Sequence, residues 1–409
     1  MAEDESSVSD RRVISSLTIG HMAQHFYSGA PILYQSIREE LGLSVTQIGL
    51  MAATTSILGG FMQIGYNLAS RLVGRRLLLT FSSLLMSAGS FLMGVSFRFE
   101  SLILGNALAG LGTAGIHPVS SSIIAQKWMK RKVGLALSLF YGLGYVGNII
   151  GPLVLSAIAL WAGWRFSYYL IAATFLGCGI LAFFMLRGEQ AAEKSTSKQS
   201  SRFVDDVKSA LKIKDAMLII AAQAFISGGT GMGVMTTWVP LFIRDPSKGL
   251  GLDVWTAGLV SSIAMSGGVI GTILLGRIGE RTGYLKTAMF SLALTTITIL
   301  LLNLEDSFNI LVVPHLFMLS MTTFSLTSIL QAHMAEASTT AQREILLGLY
   351  FTVGQGVGAL WSTLLGYLVD LFSYKAIWVT MVFAGIGAMM CLVTAYRIFI
   401  KNRQLETKT

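Results

Sequence analysis

The residues of this 409-residue chain whose chemistry is easiest to interpret are its histidines. All five fall inside apolar segments: His21, His25, His117, His315 and His333. An unperturbed imidazole has a pKa of about 6.5, so it can take or release a proton at physiological pH. A histidine is therefore a candidate for moving protons or for binding a small molecule.

Two of these histidines belong to a polar stripe. His21 and His25 are four residues apart and share one face of a helix, and Gln24 and Ser28 extend that face. A site that binds substrate or couples proton movement is expected on this stripe, with His117 as a further member. The alternative is that these histidines are neutral donors that satisfy helix backbone.

The same spacing also suits two metal ligands on one helix face, and His117 would supply a third ligand from another helix. Hard metal ions prefer oxygen ligands, and the apolar segments offer no carboxylate. The expectation is therefore no metal site, and His21 and His25 are the candidate ligands if one exists. No cofactor fingerprint, phosphate-binding loop or catalytic nucleophile is apparent, so neither a cofactor nor an enzymatic activity is expected.

The elements that position these residues are membrane helices. Hydrophobic residues make up 53% of the chain and charged residues 12%, whereas soluble domains have about 25% charged residues. This composition predicts a multi-pass membrane protein surrounded by lipid, and the compact loops fit a bacterial or archaeal cytoplasmic membrane. The net charge of +9 then reflects membrane topology, and no nucleic-acid partner is expected.

Twelve segments are long enough to cross a bilayer, which requires about 20 apolar residues. The first six are predicted at about 13–36, 45–68, 77–97, 102–126, 133–159 and 166–186. The other six are predicted at about 216–243, 255–276, 286–304, 309–334, 345–368 and 376–400.

The basic residues predict the orientation. Of the 30 Lys and Arg residues, 24 fall in the termini and the even-numbered connections and 6 on the other side. Both termini are therefore expected in the cytoplasm. The same division places all 21 Asp and Glu residues outside the middle of the helices, so no charged side chain is expected there.

A polar insert divides the chain into two halves. The expected organisation is a cytosolic tail (1–12), a six-helix bundle (13–186), a cytoplasmic linker (187–215), a second six-helix bundle (216–400) and a second tail (401–409). Apolar positions from Phe203 to Lys212 recur at helical spacing, which indicates either a surface amphipathic helix or a flexible linker. Weak matches about 210 residues apart indicate two six-helix repeats, the architecture of alternating access.

A loop in the second half carries a family resemblance. Gly276 to Gly283 resembles the loop signature of the major facilitator superfamily, in which an acidic residue and an arginine precede a glycine. The candidate conformational-switch residues are Gly279, Glu280, Arg281 and Gly283 here, and Arg71, Gly74, Arg75 and Arg76 in a degenerate first-half copy. That copy has Ser70 where the acid usually stands, and a plain basic turn is the alternative.

This resemblance implies that helices one, four, seven and ten line a central cavity. It adds Gln223 and Trp238 of helix seven to the candidate substrate-binding or proton-coupling residues. Within the superfamily, the chain resembles the fosmidomycin-resistance-like efflux branch at His117-Pro118 and at Gly147 to Pro152, but Gln24-His25 stands where that branch has an Asn-Asp pair. Pro118, Gly147, Gly151 and Pro152 are expected to bend or pack helices.

Together these patterns predict a monomeric secondary transporter that exports a small organic compound in exchange for protons by alternating access. Two alternatives remain open: proton-coupled uptake of a small carboxylate or other metabolite, and transport of a metal or metal chelate.

Overall fold

A computed structural model describes residues 2–70, 72–128, 133–187 and 207–406. These residues are helical, with short connections and no strands among them. They form two compact units: residues 1–194 with 253–262 make up unit 1, and residues 195–252 with 263–409 make up unit 2.

Unit 1 is built from eight helices and one short 3₁₀ turn. The helices are α1 (Ala2–Tyr27), α2 (Tyr34–Leu41), α3 (Val45–Ala69), α4 (Arg75–Gly94), α5 (Phe99–Trp128), α6 (Val133–Gly144), α7 (Val146–Ala162) and α8 (Trp164–Met185), and the 3₁₀ turn is Ala30–Leu33. Its core includes Leu17 of α1, Ile123 of α5 and Phe140 of α6, all of them buried.

Unit 2 contains seven further helices, of which α11 begins in the segment that clusters with unit 1. They are α9 (Lys214–Gly229), α10 (Val239–Arg244), α11 (Val254–Thr282), α12 (Tyr284–Leu301), α13 (Val312–Glu336), α14 (Thr340–Leu371) and α15 (Tyr374–Glu406). A π-helical turn (Val234–Trp238) stands between α9 and α10. The core of this unit includes Ile219 of α9, Leu330 of α13 and Tyr350 of α14.

Eleven spans within the described residues are long and apolar enough to cross a membrane. Helix α1 is not among them, because charged residues fill its first half and His21, Gln24 and His25 lower the hydropathy of its second half. An all-helical, multi-pass protein is thus confirmed, and a twelfth span at α1 stays a prediction.

Three predicted helices are shorter or interrupted in the structure. The first was expected to reach Ser36, but α1 ends at Tyr27, ahead of the Pro31 that opens the 3₁₀ turn. The fifth is divided at Tyr145 into α6 and α7. The seventh is interrupted after Gly229 and resumes as the π-helical turn before Pro240. Proline donates no backbone hydrogen bond, which suits Pro31 and Pro240 to the first turn of the segments that follow these interruptions.

Only part of the predicted amphipathic segment lies in the described residues. Residues 207–210 form one helical turn, and Ala210 is buried against the core of unit 2, whereas residues 203–206 fall outside the described ranges.

Candidate functional site

Three of the five histidines form a cluster in unit 1. His21 and His25 lie one turn apart on α1, and His117 comes from α5. The Nε2 atoms of His21 and His25 are 3.0 Å apart, and the ring of His117 lies 4.7 Å from that of His21, centroid to centroid. One nitrogen of each ring falls within 4.8 Å of the other two. The cluster thus joins two helices that are distant in sequence.

Hydrogen bonds fix the orientation of two of these rings. The Nδ1 atom of His21 is 2.9 Å from the carbonyl oxygen of Phe140, and the Nδ1 atom of His25 is 3.1 Å from Oδ1 of Asn148. The carbonyl oxygen of Phe140 only accepts, so Nδ1 of His21 donates and the lone pair of this ring is on Nε2. Two arrangements then fit His25: its Nε2 donates to His21 while the Asn148 amide nitrogen donates to its Nδ1, or its Nδ1 donates to Oδ1 of Asn148 and its Nε2 carries a second lone pair.

Aromatic rings from α6 and the residue after it surround the cluster. The His21 ring stacks on Phe140 at 4.3 Å, and Tyr145 lies 4.9 Å from the ring of His25. Tyr141 stacks on His117 at 6.2 Å, and its hydroxyl is 2.9 Å from Oγ of Ser121. His21 is fully buried, whereas His117 is only partly buried and gives the cluster its exposed side.

Glycines allow α1 to approach α6 and α7 this closely. A Cβ atom on Gly144 would overlap the ring of His21, and one on Gly147 would overlap the backbone oxygen of Met22. Further along, a Cβ on Gly151 would lie 2.5 Å from the Phe26 oxygen. Gly147 and Gly151 thus stand at helix contacts, which supports the packing role expected for them. Pro152 lies beside Gly29, and α5 continues through Pro118.

The other members of the helix-one stripe differ in their hydrogen bonding. Gln24 donates from Nε2 to the backbone oxygen of Thr113 at 3.4 Å, while its buried Oε1 has no partner among the described residues. Ser28 donates to the backbone oxygen of Gln24 at 3.3 Å. Gln24 therefore retains an unused acceptor beside the cluster, and Ser28 is satisfied by its own helix.

In unit 2, the candidate residue Gln223 resembles Gln24. Its buried Oε1 also has no partner among the described residues, and it packs against Gly354 of α14. The indole nitrogen of Trp361 donates to the Ala224 oxygen at 2.9 Å one residue further on. Trp238 is buried in the π-helical turn.

The two remaining histidines stand beside carboxylates in unit 2. His333 Nε2 is 3.3 Å from Oδ2 of Asp215, and both side chains are buried. His315 Nδ1 is 3.0 Å from Oε1 of Glu305, and its Nε2 is 2.8 Å from the Thr298 oxygen. These pairs lie at helix ends.

The first-half loop residues occupy the start of α4. Gly74 precedes the helix, Arg75 is buried and donates to Oε1 of Gln126, and the guanidinium of Arg76 lies 4.7 Å from the centroid of the Phe183 ring. Arg71 lies outside the described residues.

The second-half loop residues lie at the junction of α11 and α12. Gly279, Glu280 and Arg281 belong to the last turns of α11, and Gly283 adopts a φ of +98°, a conformation that favours glycine. An open cavity of about 770 Å³ borders this turn and extends to His333.

Asn148 is the site residue that the sequence did not single out as a candidate. It is buried and orients His25 from α7, 123 positions away along the chain. The sequence gives little indication of this role, because it shows Asn148 only as a polar residue between two glycines that are expected to pack helices.

Comparison with known proteins identifies the class of protein to which this chain belongs. A family model described as the Major Facilitator Superfamily matches residues 17–363, so the chain belongs to that superfamily of membrane transporters, which bind small-molecule substrates.

Its curated relatives include transporters of several kinds. It is 25% identical to a putative metabolite transport protein of Haemophilus influenzae, over 84% of this chain and 85% of that protein. It is 25% identical to the probable sulfoacetate transporter SauU of Cupriavidus necator, over 62% of this chain and 61% of that one. It is 26% identical to the multidrug resistance protein MdtG of Proteus mirabilis, over 58% of this chain and 57% of that protein.

Solved structures share the fold. A bacterial homologue of the human lysosomal transporter Spinster has a TM-score of 0.80 at 15% identity, with 96% of this chain and 98% of that chain covered. The nucleoside transporter NupG has a TM-score of 0.75 at 12% identity, with 94% of this chain and 99% of that chain covered. At these identities the likeness concerns the fold alone.

Proposed function

We propose that this chain exports a small organic compound in exchange for protons, by alternating access between two six-helix pseudo-repeats with both termini in the cytoplasm. The observation that carries the proposal is the kind of polar group buried in unit 1. Around the histidine cluster these groups are imidazoles, amides and hydroxyls, together with the unused Oε1 of Gln24. Such a lining suits a neutral or weakly charged compound, because it offers hydrogen bonds without a fixed charge.

The distribution of carboxylates in unit 1 supports this choice. Its described Asp and Glu residues lie in the first ten residues, at the ends of α2 and α5, or just before α11. A sodium ion is a hard cation and would require oxygen ligands, which these positions do not bring to the buried cluster. The proton is therefore the proposed counter-ion.

The residues proposed to contact the substrate are those of the helix-one stripe and its surroundings. In unit 1 these are His21, Gln24, His25, Ser28 and His117, and in unit 2 they are Gln223 and Trp238. The aromatic rings of Tyr141 and Tyr145 would stack on a ring-bearing compound. We also propose that the loop residues around Gly74 and Gly283 act as a conformational switch.

Export is supported by the relatives named multidrug resistance proteins and by the resemblance to the fosmidomycin-resistance-like branch, which itself stays a proposal. A monomer in a bacterial cytoplasmic membrane is proposed as well. Uptake of a small organic anion is the second candidate, because a probable sulfoacetate transporter is among the relatives.

Membrane vesicles of both orientations test the direction and the coupling. Everted and right-side-out vesicles that contain the protein would be given radiolabelled chloramphenicol, a neutral aromatic compound, or radiolabelled sulfoacetate, in buffer with EDTA. Export against protons predicts respiration-driven accumulation of chloramphenicol in everted vesicles, abolished by a proton ionophore and unaffected by a sodium gradient.

Sulfoacetate accumulation in right-side-out vesicles alone would favour uptake instead. Vesicles that contain the Gln24→Leu variant at matched expression are the control for both substrates, because they lack the unused amide acceptor.

A further inference from the structure

The arrangement of nitrogen atoms in the histidine cluster fits a metal ion. A tetrahedral Zn²⁺ ion binds imidazole nitrogen at about 2.0–2.1 Å, which places two nitrogen ligands about 3.3 Å from each other. The Nε2 atoms of His21 and His25 are 3.0 Å apart, close to this value. The available nitrogen of His117 is within 4.8 Å of both, so it has to approach by at most about 1.5 Å to reach the same spacing.

The hydrogen bonds behind the rings have the pattern of a metal site. A histidine that binds a metal generally donates its other ring N–H to a carbonyl or carboxylate, which fixes the tautomer and the ring orientation. Nδ1 of His21 donates to the Phe140 oxygen, and Nδ1 of His25 is 3.1 Å from Oδ1 of Asn148, which can accept from it in the same way. In that tautomer both Nε2 atoms are available to one ion, since they are 3.0 Å apart.

Without a cation, Nε2–H of His25 donates to Nε2 of His21 across the 3.0 Å that separates the two atoms. When both rings donate from Nδ1, to the Phe140 oxygen and to Oδ1 of Asn148, both Nε2 atoms can bind a cation instead. Imidazole suits zinc and the neighbouring divalent transition metals, whereas Mg²⁺ and Ca²⁺ require oxygen.

We propose that His21, His25 and His117 form a three-histidine site for a divalent transition metal of the Zn²⁺ class, with a fourth coordination position open. His117 is partly buried, whereas His21 and His25 are buried, so the open fourth position is expected on the His117 side of the cluster. Because the ligands come from two helices, the bound metal ties α1 to α5 within unit 1.

Metal binding to the tag-free, full-length protein in detergent tests the site. Zn²⁺ is expected to bind saturably at one ion per chain and to raise the Tm, and Co²⁺ is expected to give the visible d–d bands of a tetrahedral complex. The His117→Gln variant should lose both effects. His117→Cys, which keeps a ligand at this position, should retain them, and this keeps the test valid if the glutamine variant folds poorly.

Two further variants distinguish loss of the metal site from effects of substitution elsewhere in the protein. Asn148→Leu removes the acceptor behind His25 and is expected to weaken Zn²⁺ affinity by about 10–100-fold. His315→Gln is the matched control, because it removes a partly buried histidine outside the cluster, and Zn²⁺ binding should be unchanged.

The proposal is overturned if Zn²⁺ does not bind saturably, if His117→Gln binds it as well as the parent, or if only His315→Gln abolishes binding. None of these outcomes affects the proposed export, which is measured with EDTA present. Conversely, a protein that binds Zn²⁺ but moves neither labelled compound would separate the metal site from the transport proposal.

Discussion

Gln24 carries a stability cost that its own packing does not explain. Its Oε1 is buried and has no hydrogen-bond partner among the described residues. A buried acceptor left without a partner costs about 1–3 kcal/mol of folding free energy. Residues that a protein retains at such a cost are candidates for binding a ligand, because the ligand supplies the missing partner.

The Gln24→Leu variant should therefore be more stable and less active. The change removes the unpaired oxygen and one long hydrogen bond, to the Thr113 oxygen at 3.4 Å. We expect the free energy of unfolding to be equal or higher by up to about 1 kcal/mol, measured by denaturant titration in detergent, while flux in everted vesicles falls by about tenfold or more. Lower stability with normal flux would show that Gln24 has a structural role only.

Glu40 provides a pH-dependent contact outside the spans. It lies at the end of α2 and accepts hydrogen bonds from the guanidinium of Arg165 and from Nε1 of Trp164, the latter at 2.6 Å. Partial burial alone would raise the pKa of this carboxyl, but the hydrogen bonds from Arg165 and Trp164 and the positive charge of Arg165 together hold the pKa below its usual value.

The lowered pKa makes the contribution of Glu40 to the stability of the fold dependent on pH. A carboxyl with a depressed pKa in the folded protein stabilises the fold above the pKa of the unfolded chain, and this contribution is lost as the pH falls through the folded-state pKa. We expect Glu40→Gln to lower the Tm slightly at pH 7, and the difference from the parent to shrink once the pH falls below about 4, the ordinary range of a glutamate. The effect should be small, because 47% of the Glu40 side chain is exposed. A difference that grows on acidification would contradict this assignment.

At the scale of elements, the close approach of α1 to α6 depends on Gly144, which has no side chain. A Cβ on Gly144 would overlap the ring of His21, whose position is held by the bond to the Phe140 oxygen. Gly144→Ala is therefore expected to destabilise the protein by about 1–3 kcal/mol, as overpacked cores do. The shift in Tm measures this effect.

The matched control stands two residues earlier on the same helix. A Cβ on Gly142 meets nothing within 4 Å, so Gly142→Ala adds the same methyl group to open space. Alanine is favoured over glycine in a helix by about 1 kcal/mol, so the Tm of this variant should not fall. Equal losses in both variants would mean that glycine is required for a reason other than the contact with His21.

The helices could be predicted from the sequence better than their interruptions. Long apolar runs identify a span because the hydrocarbon core fixes its length. The division at Tyr145 carries no such signal, since that residue is neither proline nor glycine and the apolar run continues across it.

The site was predictable in part for the same reason. Spacing placed His21 beside His25, because residues four apart lie on one helix face. His117 was expected to join them from another helix, but its distance from the pair and the contact of Asn148 with His25 result from tertiary packing between helices distant in sequence.

At the scale of the whole molecule, the orientation that we propose for the membrane rests on the distribution of charge. Of the 30 Lys and Arg residues, 24 belong to the termini, the central insert and the connections on the same side. The positive-inside rule assigns that side to the cytoplasm. The opposite side then carries the connection between α12 and α13, where Asp306 is exposed and pairs with Lys375 at 2.7 Å.

Single-cysteine labelling tests this orientation. In a background without Cys178 and Cys391, a membrane-impermeant maleimide should label Lys198→Cys, in the central insert, in everted vesicles only. It should label Asp306→Cys in right-side-out vesicles only, because this exposed position lies on the other side. Loss of the exposed ion pair at Asp306 is expected to leave the fold intact. The reverse labelling pattern would place both termini outside the cytoplasm and would contradict the orientation predicted by the positive-inside rule. The direction of transport would still be given by the vesicle assay, because everted vesicles expose the cytoplasmic face of the membrane whatever the orientation of the protein.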